Sequence, residues 1–270
     1  MADKITEKTA EIEPFMTACR EAAVIGGDQL MDWRGRFSIK SKAPSDLVTE
    51  ADLAAQQAIR DHVIGAFPDH DFLGEESPDS GNEAVAAANY QWIVDPLDGT
   101  TNYVYGFPYF CVSVALVLDG EALAGTVYNP VTKECFTASR GGGAFLNNHP
   151  ISVSDTATIS ESLLAASFPN EVDRSSIEVT RFLDVLDACR SVRRLGAAAL
   201  NLSNVAAGRL DGYWASTVKA WDVAAGILLV EEAGGVVSDM DGSPFRLSDH
   251  PSFVVASTKE LHDEIRPLLK

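Results

Sequence analysis

The stretch of sequence that decides the fold is Trp-Ile-Val-Asp-Pro-Leu-Asp-Gly-Thr-Thr-Asn, residues 92–102. Its first three residues are apolar and prone to β structure, and they predict a short buried strand. Pro96 fixes its own φ angle and Gly99 permits a tight turn, so the backbone after the strand follows one course. Asp95 and Asp98 therefore emerge at the carboxyl end of a strand, which is where α/β proteins usually place their ligands.

Two further acidic segments lie far from this one in the chain. Gly-Glu-Glu-Ser occupies residues 74–77, and Trp-Asp-Val-Ala-Ala-Gly occupies residues 221–226, with Asp222 at the mouth of a predicted helix. Taken singly, an Asp-Gly pair is typical of a solvated turn, an aspartate of a helix N-cap, and a Glu-Glu pair of a charged loop. Together they supply carboxylates from separate loops, which is how proteins hold hard divalent cations. The combination predicts a metal site.

The rest of the N-terminal half is predicted to be helical first and antiparallel afterwards. Apolar residues at helical spacing predict an amphipathic helix over residues 11–30, and a turn at residues 45–52 leads into a second helix that ends near Ala66. These two helices are expected to precede the first strong strand. Further strands are predicted at residues 111–118, 122–128 and 134–138, with turns at residues 119–120 and at the three glycines 141–143.

The C-terminal half alternates strands with helices. Strands are predicted at residues 163–167, 191–194, 212–215, 236–237 and 253–256. Helices are predicted at residues 174–189 and 197–207, after Asp222 up to Gly234, and at the C-terminal end around Leu261, Ile265 and Leu268. The sequence has no internal repeat and no flexible linker. We therefore predict a single unit over residues 1–270, with an α+β half over about residues 1–145 and an α/β half over about residues 146–270.

Composition and charge exclude several classes of protein. The chain has 270 residues, 46% of them hydrophobic and 22% charged, which is ordinary globular usage and excludes a disordered or fibrous chain. With 21 basic and 39 acidic residues, the formal net charge of −18 repels nucleic acid and anionic membranes. No stretch has the roughly 20 apolar residues of a membrane span, and the N-terminus resembles no secretory signal. We expect a cytoplasmic protein.

The cysteines, histidines and arginines form no pattern that predicts a different kind of functional site. The four cysteines include no Cys-x-x-Cys pair, which favours buried free thiols in a reducing compartment. The five histidines fall outside every motif, so zinc chemistry and a histidine base are not favoured. The glycines 141–143 lack the lysine of a phosphate loop and predict a hairpin turn. Arg193 and Arg194 stand before Gly196 and could bind anions, although pairing in the core or at an interface is the commoner role.

The three acidic segments, together with Asp-Leu-Val-Thr-Glu-Ala-Asp at residues 46–52, resemble the signatures of the inositol monophosphatase family. Their order and spacing agree as well, and the resemblance reaches Glu-Glu-Ala-Gly-Gly at residues 231–235. It implies a five-layer α-β-α-β-α sandwich, usually a homodimer, that hydrolyses small phosphate monoesters with Mg²⁺ and is often inhibited by Li⁺. The implied partners are a small phosphorylated metabolite and a second copy of the chain, with no nucleic acid and no membrane.

Carried over residue by residue, the resemblance implies two or three metal ions in one site, with Mn²⁺ as the alternative to Mg²⁺. Glu75, Asp95 and the carbonyl of Leu97 look like ligands of the first ion. Asp95, Asp98 and Asp222 look like ligands of the second ion, and Glu75 would also touch a weaker third ion. Paired ions of this kind stabilise both the attacking and the leaving oxygen in phosphoryl transfer.

The same resemblance implies catalytic and substrate-binding roles. Glu75 and the hydroxyl of Thr100 would orient the attacking water, and Asp52 would polarise that hydroxyl. Backbone N–H groups near Gly99, at a helix start, are expected to bind phosphate oxygens. The implied substrate-binding positions are Asp98, Gly99, Thr100, Gly196, Ala198 and Ala215.

One departure from the family concerns the substrate. Members that hydrolyse inositol phosphates carry a glutamate seven residues before the helix aspartate, and Ala215 stands at that position here. Because selectivity for a polyol depends on buried polar groups that pair with its hydroxyls, a preference for inositol does not follow. Histidinol phosphate, sugar phosphates or bisphosphates and nucleotide 3′-phosphates stay open as substrates. A mainly regulatory, protein-binding role is the alternative from another class, because some bacterial relatives regulate transcription.

Overall fold

The computed structural model describes residues 2–43, 46–77, 89–169 and 172–270. Side chains are described for residues 12–38, 49–77, 89–169 and 172–270. Along these residues, no helix combines the length and the apolar character that crossing a bilayer requires.

In chain order, the elements are α1 (Ala2–Trp33), β1 (Ile39–Ala43), β2 (Asp46–Thr49), α2 (Glu50–Ala66), β3 (Asp71–Gly74), β4 (Gln91–Asp98), α3 (Thr100–Val104), β5 (Cys111–Leu118), β6 (Glu121–Asn129), β7 (Glu134–Ser139), β8 (Gly143–Leu146), β9 (His149–Pro150), β10 (Leu163–Ser167), α4 (Ile177–Ala188), β11 (Ser191–Arg193), α5 (Ala198–Ala206), β12 (Gly212–Ala215), α6 (Ala220–Glu232), β13 (Val236–Asp239), β14 (Phe253–Ala256) and α7 (Lys259–Ile265). Short 3₁₀ helices lie at Ile159–Glu161 and Arg266–Leu269.

The strands form two large sheets and one hairpin. The seven-stranded sheet has the order β3-β4-β5-β6-β7-β8-β9, and its β3–β4 pair is parallel while the other pairs are antiparallel. The five-stranded sheet has the order β11-β10-β12-β14-β13, and in it β10 runs parallel to both β11 and β12. Strands β1 and β2 pair only with each other.

Helices cover both faces of both sheets and complete five layers. Helices α1 and α2 pack on one face of the seven-stranded sheet, and α6 packs across its other face. Helix α5 contacts α6 and strands of both large sheets. Helix α4 contacts β11 and the second 3₁₀ helix, and α7 contacts β14 and both 3₁₀ helices. Three clusters of buried apolar side chains fill the spaces between these layers. The predicted α-β-α-β-α sandwich is therefore confirmed in its layering.

Strand β4 shows why the layers hold together. All eight of its residues are buried, because helices cover the sheet on both sides. Trp92 and Val94 point into the cluster under α1 and α2, while Ile93 points into the central cluster against α6. This alternation is the two-residue period of a β-strand, and it places the carboxyl end of β4 between the two sheets.

Most predicted elements are confirmed, and three predictions need correction. Strand β4 does not stop at Val94 but continues to Asp98, with irregular pairing opposite β5 between Asp95 and Asp98, where Pro96 has no N–H to give. The turn predicted at residues 45–52 is in part strand β2, which pairs with β1, and the hairpin and β3 precede β4. The side chains of residues 46–48 lie outside the described part.

The third correction concerns Asp222, which was expected to stand before its helix as a cap. It lies inside the first turn of α6, three residues after the capping position Lys219. The division into halves near residue 145 stays a prediction, and the seven-stranded sheet itself continues to Pro150.

Candidate active site

Three aspartates meet between the sheets. Asp95 and Asp98 stand at the carboxyl end of β4, and Asp222 comes from the first turn of α6, which packs against β4. One carboxylate oxygen from each residue lies within 4.8 Å of the others. The fold thus brings together the carboxylates of Asp98 and Asp222, which are 124 residues apart in the sequence.

Backbone N–H groups fix the orientation of Asp98. Its Oδ1 accepts a hydrogen bond from the N–H of Ala198 at 3.0 Å, and its Oδ2 accepts one from the N–H of Ala199 at 2.7 Å. These are the first two residues of α5, whose unpaired N–H groups suit a carboxylate. The thiol of Cys111 on β5 also approaches Oδ2, at 3.6 Å. Asp98 therefore joins the end of β4 to the start of α5.

Asp95 and Asp222 are held by their own segments. Oδ1 of Asp95 accepts the N–H of Leu97 at 2.9 Å, which closes a tight turn after the carboxylate. Oδ2 of Asp222 accepts the N–H of Lys219 at 2.7 Å, so the aspartate satisfies an N–H just outside its helix. The two side chains also hydrogen-bond to each other, and that bond opposes the rise in the pKa of Asp222 that burial causes.

Burial of the three carboxylates disfavours their charged form. Burial, followed by repulsion from Glu75, Asp98 and Asp222, raises the pKa of Asp95 well above its usual range. Burial, followed by repulsion from Asp222, raises the pKa of Asp98 to about 7 although two N–H groups oppose the shift. Burial also raises the pKa of Asp222. Such carboxylates bind either protons or a cation at neutral pH.

Thr100 and Asp52 form a second polar group beside the cluster. The Thr100 hydroxyl lies 3.1 Å from the carbonyl oxygen of Leu97 and 3.4 Å from Oδ1 of Asp52. The other oxygen of Asp52 accepts both the N–H of Thr49 at 2.9 Å and its hydroxyl at 2.6 Å, because Thr49 and Asp52 form the capping box of α2. Burial raises the pKa of Asp52 to about 6, and the bonds from Thr49 oppose that rise.

Glu75 lies near the three aspartates without joining their group. Its N–H donates to the carbonyl of Val94 at 3.1 Å, which sets it beside β4 just after β3 ends. Its charge is the first of those that raise the pKa of Asp95, so the two carboxylates are close. The set within mutual reach of 4.8 Å is nevertheless limited to the three aspartates among the described residues.

A cavity of about 380 Å³ opens beside the cluster. We call the part of its lining made by Asp98, Gly99, Thr100 and Asp222 the acidic wall, and the part made by Phe168, Arg194, Leu195 and Val218 the arginine wall. Its other lining residues are Thr101, Asn102, Ser167, Gly196 and Ala198. The size is within the usual range for a small-molecule site.

Five of the six predicted substrate-binding positions line this cavity, and Ala215 does not. Ala215 is fully buried on β12, paired with Ser167 on one side and Phe253 on the other. Its methyl group packs in the central apolar cluster. The expectation that this position faces the substrate is therefore not met by the structure.

Two glycines let the segment after β4 approach the segment before α5. Gly99 has a φ of +94°, and a Cβ there would lie 3.0 Å from the carbonyl oxygen of Tyr109 and 3.3 Å from that of Gly196. Gly196 has a φ of +83°. Asn102 fastens the same contact, since its Nδ2 donates to the carbonyls of Tyr109 and Leu195 at 2.7 and 2.8 Å. Side chains larger than hydrogen at either glycine would strain this junction.

Sequence reasoning missed Asn102 and Cys111. Asn102 is the last residue of the segment 92–102. Its hydrogen-bond partners Tyr109 and Leu195 lie 7 and 93 residues away, so no local sequence pattern predicts them. The sequence gives no sign that Cys111 differs from the other buried thiols. The pairing of β4 with β5 places it opposite Asp98. Arg194 was weighed as an anion-binding residue, and the structure places it on the cavity lining.

Comparison with known proteins gives consistent relatives. The sequence model of the "Inositol monophosphatase family" matches residues 11–270. An "Inositol-1-monophosphatase" of Synechocystis sp. is 37% identical over 99% of this chain and 93% of its own. A protein named "Nus factor SuhB" of Pseudomonas aeruginosa is 40% identical over 86% of this chain and 88% of its own.

Solved structures agree with the fold. The inositol monophosphatase of Anabaena superposes with a TM-score of 0.84 at 36% identity, over 96% of each chain. The extragenic suppressor protein suhB of Bartonella henselae gives a TM-score of 0.85 at 34% identity, over 95% of this chain and 98% of its own. The chain therefore belongs to the inositol monophosphatase family and, with it, to the phosphoric monoester hydrolases.

Proposed function

We propose that this protein hydrolyses a small-molecule phosphate monoester in a reaction that depends on Mg²⁺. The observation that carries the proposal is the meeting of Asp95, Asp98 and Asp222 within 4.8 Å at the edge of a cavity. Family membership supports the reaction type. The cavity, at about 380 Å³, supports a small substrate.

The residues fit hard divalent cations. All three groups are carboxylates, the ligands that Mg²⁺ and Mn²⁺ favour, and a buried set of like charges is stabilised by a cation of double charge. Asp95, Asp98 and Asp222 would hold the ions, with Glu75 and the carbonyl of Leu97 as further ligands. We propose two or three ions per site, with Mg²⁺ the first choice and Mn²⁺ the alternative.

Mg²⁺ supplies a Lewis acid that makes water more acidic and stabilises negative charge on phosphoryl oxygens. The chain's own contribution is orientation. The Thr100 hydroxyl can donate its single proton to Asp52 or to the Leu97 carbonyl, which leaves its lone pairs to accept a hydrogen bond from the attacking water. Glu75 would accept the other proton of that water. The bonds from Thr49 keep Asp52 in position to hold the Thr100 proton.

The substrate is the open part of the proposal. Ala215 stands buried at the position where inositol-hydrolysing members of the family carry a glutamate, so the structure gives no ground for a preference for inositol. Gly99, Thr100, Gly196 and Ala198 line the cavity next to the acidic wall or within it and would contact the phosphate. A phosphorylated alcohol such as histidinol phosphate, a sugar phosphate or a nucleotide 3′-phosphate fits this chemistry.

The direct test is phosphate release from a panel of these esters and inositol 1-phosphate. Each is assayed with Mg²⁺, with Mn²⁺ and with EDTA, and with Asp98→Asn as the inactive control. Turnover that requires the metal and is lost in the variant would establish the reaction. No release from any ester at any Mg²⁺ concentration would overturn it.

Family membership supports a homodimer inhibited by Li⁺, and we propose both properties as well; a cytoplasmic location stays a prediction from the sequence. Sedimentation of the purified chain gives the oligomeric state, and the phosphatase assay repeated with LiCl in place of NaCl gives the inhibition. A mainly regulatory protein would keep a captured partner after Asp95→Asn, and loss of the partner together with turnover would count against that alternative.

A further inference from the structure

Arg194 has no part in the proposed reaction, yet its side chain lines the same cavity as Asp98 and Asp222. It follows directly on β11, beside the end of β10, where the five-stranded sheet meets the cavity. Among the described residues that line the cavity, it is the one cation. In a chain with a formal net charge of −18, a cation at this place is a distinctive feature.

The Arg194 guanidinium is held in place by Phe168. Its central carbon lies 4.8 Å from the centre of the Phe168 ring, and its Nη2 donates to the Phe168 carbonyl at 3.4 Å. The Phe168 ring in turn packs edge-on against Phe182 at 5.7 Å. A guanidinium stacked on a ring keeps its in-plane N–H groups for a second partner.

Neither contact neutralises the charge of Arg194, since a ring and a carbonyl are both uncharged. The neighbouring Arg193 differs, because its Nη1 donates to the hydroxyl of Ser191 at 2.5 Å and it does not line the cavity. Two adjacent arginines thus have different surroundings, and one of them faces the substrate space.

The phosphoryl group is proposed to bind at the acidic wall, where the ions would sit. The arginine wall is then left for the rest of the substrate. Phe168, Leu195 and Val218 there are apolar, so Arg194 supplies the charged group of this wall, and the neighbouring Ser167 also lines the cavity. Its fork of N–H groups matches the oxygens of a phosphate or a carboxylate better than a hydroxyl.

We infer that Arg194 is a specificity-determining residue that binds a second anionic group of the substrate. The substrate class is then a phosphate monoester that carries another phosphate or a carboxylate. This inference rests on the proposed function, because it assumes that the first phosphate is cleaved at the acidic wall.

The test uses pairs of substrates that differ by one anionic group. Fructose 1,6-bisphosphate is compared with fructose 1-phosphate, and 2-phosphoglycerate with glycerol 2-phosphate, so the pairs separate a phosphate from a carboxylate. Initial rates of phosphate release with Mg²⁺ are measured for the unmodified protein, for Arg194→Gln and for the matched control Arg193→Gln. Circular dichroism and melting temperatures check that each variant is folded.

We expect Arg194→Gln to lower kcat/KM for the substrate with the second anion about tenfold more than for its partner, the size of a lost charge-assisted hydrogen bond. The loss should lie mainly in KM, and Arg193→Gln should keep the preference of the unmodified protein. Equal losses for both members of each pair would place Arg194 at the cleaved phosphate and overturn the inference. So would equal losses in the two arginine variants.

Failure of the proposed function is distinguishable from failure of this inference. If the unmodified protein releases no phosphate from any ester, the reaction is wrong, and calorimetric binding of fructose 1,6-bisphosphate with Ca²⁺ then tests Arg194 directly. Binding weakened about tenfold in Arg194→Gln but not in Arg193→Gln would support the anion site without the reaction. Unchanged or absent binding would overturn the inference.

Discussion

The acidic wall and the arginine wall of one cavity are built in different ways. On the acidic wall, Asp98 and Asp222 each accept backbone N–H groups, and the carboxylates sit at fixed points of β4 and α6. On the arginine wall, the Arg194 guanidinium lies over the Phe168 ring and donates one long hydrogen bond to the Phe168 backbone carbonyl. The carboxylates proposed to carry out the reaction are thus positioned by backbone groups, whereas the arginine proposed to select the substrate is positioned mainly by its contact with a ring.

The largest expected effect comes from the acidic wall. Asp95→Asn should lower kcat by about a thousandfold or more, because it removes a carboxylate that would bind both of the first two ions. Asp119→Asn is the matched control, since Asp119 has a φ of +52° in an exposed turn that asparagine also adopts. The measurement is phosphate release at saturating Mg²⁺. Comparable activity in the two variants would remove Asp95 from the site.

Thr100 gives the next largest effect and tests whether its hydroxyl does more than fill space. Thr100→Ala should lower kcat about a hundredfold, the lower range for a positioned group in proton transfer. Thr100→Ser keeps the hydroxyl near Leu97 and Asp52 and should stay within a few fold of the unmodified protein. If Thr100→Ser and Thr100→Ala lose activity equally, the methyl group of Thr100 matters rather than its hydroxyl, and the role assigned to Thr100 is wrong.

The reading of this site from sequence succeeded where the information was local. The segment around Asp95 and Asp98 contains its own strand, its own proline and its own turn glycine, so the position of both aspartates at the end of a buried strand could be predicted before any tertiary contact was known. The sequence predicted Asp222 to lie before its helix, but it lies within the first turn of α6. A capping aspartate and an aspartate at the third helical position have similar neighbours in sequence, so the two cannot be distinguished from the sequence alone.

The rest of the site could not be predicted because it depends on long-range contacts. The contact of Arg194 with Phe168 joins two residues that each follow a strand and lie 26 positions apart in the sequence, and no spacing rule describes it. The burial of Ala215 follows from its pairing with strands on both sides, which a residue-by-residue comparison does not contain. Strands β1 and β2 were missed because Asp46–Thr49 has the composition of a turn.

Binding of metal should be visible in stability as well as in activity. At a hundredfold excess over its dissociation constant, Mg²⁺ should stabilise the folded protein by about 2.7 kcal/mol. Asp95→Asn should lose most of that gain, while Arg194→Gln, on the other wall, should keep it. The measurement is the melting temperature across a Mg²⁺ titration. A melting temperature that ignores Mg²⁺ up to tens of millimolar would contradict the metal site.

The smallest effect is a dependence of stability on pH in the absence of divalent ions. Burial holds the pKa of Asp98 at about 7 in the folded protein, against an ordinary value of 3.8 in the unfolded chain. Between these two values the folded state binds more protons, so the free energy of unfolding falls as the pH rises through this window. Asp52, with a pKa raised to about 6, acts in the same direction.

Asp98→Asn separates this contribution from that of the other carboxylates. The variant is expected to be less stable at low pH, because asparagine has one oxygen to accept the two N–H groups of Ala198 and Ala199. Its melting temperature in EDTA should, however, fall less steeply between pH 4 and pH 7 than that of the unmodified protein, and Asp119→Asn should keep the original slope. Equal slopes in all three proteins would mean that Asp98 releases its proton as easily in the folded state as in the unfolded chain. In that case the repulsion that makes the acidic wall a cation site would be absent.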